Sequence, residues 1–160
     1  HVADWKDAEV IYISQPMLVF GNSIGSGNYT RPQGEVVYFE ADRTSTAYYA
    51  DGFSDVSAYV HNLEADSGGA IPKGAKAICV TVESRDSASS GTDCYVRFMN
   101  SSTNSTQGVQ SYPYGKYDNT YEKHDGLVPC DANGDCTVTI NATGSGTMDV
   151  YVKYYAVQLR

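Results

Sequence analysis

The last third of the chain, residues 127–160, constrains the fold most. It reads LVPCDANGDCTVTI, then NATGSGT, then MDVYVKYYAVQLR. That is an apolar strand, a tight turn at Asn133-Gly134, a second strand, a polar turn and a final strand. A chain whose last residues alternate in this way is expected to dock its terminus in a sheet. In the final strand Val150, Val152, Tyr154 and Ala156 share one face, and Tyr151, Tyr155, Val157 and Leu159 share the other. Both faces are therefore expected to be covered. Asn-Gly between alternating strands is a strong hairpin signal and predicts Val128 opposite Val138.

The same grammar runs upstream. Val56, Ala58 and Val60 alternate with Ser57, Tyr59 and His61; Ile78, Val80 and Val82 share a face; so do Cys94, Val96 and Phe98. Short strands are expected at 36–39 and 46–49, and 65–74, 84–93 and 100–110 read as turns or polar loops. The chain holds 14 Tyr and 15 Gly, and Val, Thr and Ser are plentiful beside scarce Leu. That bias favours half-buried strands over helices. About eight or nine strands and no convincing helix predict an all-β fold, an antiparallel jelly-roll-like β-sandwich with an N-terminal arm. Residues 1–33 form the arm and an edge strand, and 34–160 the sandwich. Pro16 cannot donate to a ladder, which predicts that the apolar stretch 10–20 sits at a sheet edge or carries a bulge.

Charge and processing narrow the function. The net charge is −8. Such a surface repels phosphate backbones and anionic lipid, which argues against nucleic-acid binding. No apolar run approaches the ~20 residues of a membrane span, so no membrane insertion is expected. A chain beginning at His1 rather than Met predicts cleavage from a precursor or trimming. Asn28, Asn100, Asn104 and Asn141 each open an Asn-x-Ser/Thr acceptor pattern. With four cysteines, these features point to an extracellular setting.

The phrases DVSAYV from Asp55, IPKGAKA from Ile71, CYVRF from Cys94, VPCDANG from Val128 and MDVYVKYY from Met148 resemble small jelly-roll domains of bacteriophage virion proteins. Those domains occur in tail fibres, neck or head fibres and capsid decoration proteins. The resemblance covers roughly residues 53–159. It implies a non-enzymatic structural or adhesive role on a virion surface, with copies of the chain and other structural proteins as partners. Val10, Ile11, Ile13, Leu18 and Phe20 would then be an assembly arm. The alternative is a secreted carbohydrate-binding module or an extracellular filament subunit of cellular origin.

Four cysteines allow three pairings. Pleat parity across the Asn133-Gly134 turn brings Cys130 opposite Cys136, at a Cα separation of about 4.5–5.5 Å that a disulfide can span. Cys79 and Cys94 would point to opposite faces of one hairpin, so their bridge needs a bulge; otherwise Cys79 is free or bonds another chain.

Three sets of residues are candidate sites. Tyr112, Tyr114, Tyr117 and Tyr121 cluster in one loop and suit a surface glycan or a protein partner, because tyrosine offers rigid amphipathic area. The same rings could instead close the end of the sandwich. Asp131, Asn133 and Asp135 alternate like the start of a Ca²⁺ loop, but no Glu closes it, and a polar turn is the simpler reading. Beyond that weak Ca²⁺ candidate no cofactor is expected. An N-terminal His1 can hold copper with His61 or His124 as the second imidazole. Both of those read as exposed, and the start HVADW resembles no such enzyme family. No paired carboxylates, Ser-His-Asp set or phosphate loop stands out, and the chain reads as a non-enzyme.

Overall fold

The computed structural model of the protein describes residues 34–87, 94–101, 104–113 and 120–159. The chain divides into two units, His1–Arg31 and Pro32–Arg160. All described residues lie in the second unit, and the assembly-arm residues Val10, Ile11, Ile13, Leu18 and Phe20 lie outside them.

Among the described residues eight strands and one helical turn follow in order: β1 Val36–Phe53, β2 Val56–His61, α1 Leu63–Asp66, β3 Ala77–Asp86, β4 Tyr95–Ser101, β5 Asn104–Ser111, β6 Glu122–Pro129, β7 Cys136–Asn141 and β8 Met148–Gln158. They form two antiparallel four-stranded sheets, in the orders β1-β8-β3-β6 and β2-β7-β4-β5. That strand order is the jelly roll, and it bears out the fold expected from the sequence. No described helix is long and apolar enough to cross a membrane.

Alternation builds the core. In β3 the side chains of Ile78, Val80 and Val82 are fully buried, and in β8 Val150, Val152 and Tyr154 meet them. From the other sheet come Val96, Phe98, Val109, Val138 and Ile140. Burying a side chain of this size contributes about 1.5–3 kcal/mol, and both sheets supply such side chains to the core. The last strand is thus an interior strand of its sheet, flanked by β1 and β3.

Several local expectations are corrected. The two short strands at 36–39 and 46–49 are one 18-residue strand, β1, with register shifts between Tyr38 and Arg43, Thr44 and Tyr49, and Ala50 and Phe53. The Asn133-Gly134 turn does not close a hairpin. It carries the chain from β6 in one sheet to β7 in the other, so Val128 pairs with Ile78 and Val138 with Tyr59 and Phe98. The turn signal is local, whereas pairing is decided by the sheet each strand joins. Gly134, at φ +91°, lies so close to the backbone of residues 74 and 75 that a Cβ there would fall 2.5 Å from the Gly74 nitrogen. Alternation in β8 breaks at Tyr155: Cys79 pairs with Ala156 but Val80 with Tyr154, and this shift turns Val157 into the core. The polar segments 104–111 and 122–125 are strand, in β5 and β6.

Candidate functional site

The outer face of the β1-β8-β3-β6 sheet carries a candidate surface site. Register places Tyr49, Tyr151, Glu83 and Lys123 in one row across all four strands. The next row runs Thr44, Lys153, Thr81 and Asp125. Side chains two apart on a strand share a face, so the pairs Thr81/Glu83 and Tyr151/Lys153 stand side by side. With Tyr121, just before β6, these residues line an open groove of about 260 Å³.

The aromatic wall of this groove is braced. The Tyr49 and Tyr151 rings meet edge to face at 5.1 Å, and Tyr121 lies 6.1 Å from Tyr151. The Tyr151 hydroxyl donates to Asp51, and this bond pushes its pKa up. The Arg85 guanidinium lies 4.7 Å from the Tyr121 ring centre and donates from Nε to Asp149 at 2.8 Å. Asp149 is itself 5 % exposed and also accepts from the Gly52 amide at 3.1 Å. A buried carboxylate therefore fixes the cation, and the cation positions the ring. Thr81 donates to Asp125. By contrast, the side chains of Glu83, Lys123 and Lys153 make no hydrogen bond or ion pair among the described residues.

The tyrosine loop is only partly represented here. Tyr121 joins the groove. Tyr112 belongs to the other sheet's surface, where it accepts from Arg97 Nη2 at 3.2 Å and its ring lies 6.0 Å from that of Tyr95. Tyr114 and Tyr117 lie outside the described residues. The four-tyrosine loop therefore does not present its described members, Tyr112 and Tyr121, on one face.

No disulfide joins Cys79, Cys94, Cys130 and Cys136. Neither pairing has the hairpin that the sequence argument required, since β6 and β7, like β3 and β4, lie in opposite sheets. Cys94 and Cys136 are in the core, while Cys79 lies under Tyr155 on the outer face. Burial, with Asp131 and Asp135 nearby, pushes the Cys130 thiol up to about 12. Burial drives Cys136 well above the usual thiol range.

The Asp131 carboxylate is occupied within its turn. Its Oδ1 accepts from the amides of Asn133 at 2.8 Å and Asp135 at 3.0 Å, while Asp135 accepts from the Leu63 amide at 3.3 Å. No group of three or more His, Cys, Asp or Glu side chains able to hold a metal occurs among the described residues. Asn100, in the second acceptor pattern, turns its amide to the Cys130 carbonyl at 2.9 Å.

The most unexpected side chain is His61, read from the sequence as exposed and found 3 % exposed. A register shift between Val56 and Tyr59 reverses the face of β2, leaving Val60 58 % exposed and turning His61 inward. Its Nε2 lies 3.0 Å from the Tyr154 hydroxyl and 3.3 Å from Asp66 Oδ2, and Tyr154 donates to the same Oδ2 at 2.7 Å. With both neighbours oxygen atoms and the Tyr154 proton committed to Asp66, Nε2 is the protonated ring nitrogen. Asp66 Oδ1 meanwhile accepts from the Thr46 and Ala47 amides at 2.9 and 2.7 Å. Those amides sit where β1 loses register with β8, and the carboxylate satisfies them. His124, the other candidate imidazole, is exposed on β6 in the opposite sheet, so the two do not meet. His1 lies outside the described residues.

No protein-family model matches the chain. No curated protein matches it either. Among solved structures the chain is similar to the coat protein of tobacco streak virus, with a TM-score of 0.44, 9% identity, and coverage of 82% of this chain and 90% of that one. The jelly roll described above rests on this chain's own strand order.

Proposed function

We propose that this chain is a non-enzymatic structural and adhesive subunit of an extracellular assembly, and within that class a bacteriophage virion surface component of the decoration, neck-fibre or tail-fibre kind. The observation that supports the reading is β1. It is 18 residues long, pairs with β8 on one side and with no described strand on the other, and exposes Val36, Val37 and Tyr38 at 37, 40 and 72 %. A long open edge with apolar side chains is a template for another chain. In this reading the partner is a second copy, contributing Val10, Ile11, Ile13, Leu18 and Phe20.

One further feature favours it over the alternatives. His61, Asp66 and Tyr154 are enclosed between the sheets and spent on holding them, which suits structure better than turnover. The test is light scattering on the full chain and on Val37→Lys with Tyr38→Lys. An oligomer that falls to a monomer in the double variant is expected. A wild-type monomer at micromolar concentration overturns the reading.

A further inference from the structure

We infer that the groove on the outer face of the β1-β8-β3-β6 sheet is a saccharide-binding site, taking one or two pyranose rings against Tyr49, Tyr121 and Tyr151. The inference deepens the adhesive part of the proposed function and does not depend on the oligomeric part.

Three observations carry it. The first is the wall. Tyr151 is in ring contact with both Tyr49 and Tyr121, and the three present apolar rings with polar rims, the surface that the C–H face of a pyranose covers. The second is its rigidity. Tyr151 is tied to Asp51, and Tyr121 is stacked on an Arg85 held by the buried Asp149, so little side-chain freedom remains to be lost on binding. Solvent-exposed aromatic rings do not require such bracing to keep the fold. The third is the set of polar heads beside the wall. Glu83, Lys123 and Lys153 face the groove without partners among the described residues. A carboxylate that only accepts, next to ammonium groups that only donate, matches sugar hydroxyls, which do both.

Size and charge limit the occupant. About 260 Å³ lies just under the range of drug-sized pockets and admits a ring or two. Glu83, Lys123 and Lys153 line the groove, with Asp51 bonded to Tyr151 and Asp125 bonded to Thr81 at its margin, so it carries both signs of charge. It therefore accepts both neutral sugars and sugars bearing a carboxylate, and repels neither.

The experiment displays the full chain multivalently on beads and probes a printed array of neutral and uronic-acid oligosaccharides. Tyr121→Ala, Glu83→Gln and Lys153→Met are compared with Tyr59→Ala, a control on the opposite sheet that is 59 % exposed. Binding to at least one sugar class is expected, with Tyr121→Ala and Glu83→Gln each losing roughly tenfold or more in affinity and Tyr59→Ala unchanged. Loss with Lys153→Met on uronic acids alone assigns the ammonium to the sugar carboxylate. Circular dichroism confirms that each variant is folded; because Tyr121 is half exposed, its truncation leaves the core intact. No binding by the displayed wild-type chain overturns the inference, as does binding that survives both groove substitutions. Neither result bears on oligomeric state, so the two readings fail separately.

Discussion

His61 Nε2 and the Tyr154 hydroxyl lie 3.0 Å apart and join the two sheets of the sandwich, since His61 ends β2 and Tyr154 stands near the end of β8. Asp66 Oδ2 accepts from the Tyr154 hydroxyl, so three polar groups share one point in an otherwise apolar interior. Inside a core such a network fixes one arrangement of the layers, because any other leaves a buried charge unsatisfied.

The first prediction is that Tyr154→Phe destabilises the fold by about 1–3 kcal/mol, since it removes a hydrogen-bond donor from a buried carboxylate while keeping the ring that fills the core. Urea denaturation of wild type and variant measures it. Equal midpoints would mean that the hydroxyl is not part of the network.

The second concerns acid. Burial alone would raise the pKa of Asp66, but hydrogen bonds from His61, Tyr154, Ala47 and Ser45 outweigh it and hold the carboxyl well below its usual range. A folded pKa below the unfolded value means that the unfolded chain binds the proton more readily. The contribution is therefore complete above the unfolded pKa of about 3.9 and fades as pH falls towards the folded value. The stability gap between wild type and Asp66→Asn should be constant from neutral pH to about 5 and narrow below about 4. Denaturation midpoints over that series decide it, and a gap that widens in acid contradicts the assignment.

The third concerns the thiols. Burial pushes Cys130 up to about 12 and Cys136 well above the usual thiol range, so neither forms thiolate at neutral pH. Iodoacetamide at pH 8 should label the native chain slowly and incompletely, and all four sites promptly in urea without reductant. Intact mass reads the count. Fewer than four adducts in urea would reveal a cross-link.

The sequence disclosed the architecture through local periodicity. Ile78, Val80 and Val82 in β3 and Val150 and Val152 in β8 face the core as their alternation requires. Which sheet each strand joins was beyond local signals, and the Asn133-Gly134 turn shows why. It announces a reversal without saying whether the flanking strands pair or cross to opposite layers. His61 was misplaced because one register shift in β2 outweighs a clean alternation of Val56, Ala58 and Val60. The groove was hidden for a related reason. Tyr151 and Tyr121 were each visible as candidates for a covered or contacting face, but Tyr49, Glu83 and Lys123 come from three other places in the chain and meet only through register. Alternation tells which side of a strand faces out; it does not tell which strands are neighbours.

The most direct test of the account is native mass spectrometry of the full chain, with and without reductant. The account predicts a closed oligomer of defined stoichiometry whose mass is the same in both conditions, because its subunits meet through strand edges and not through Cys79. A monomer in both conditions would contradict it.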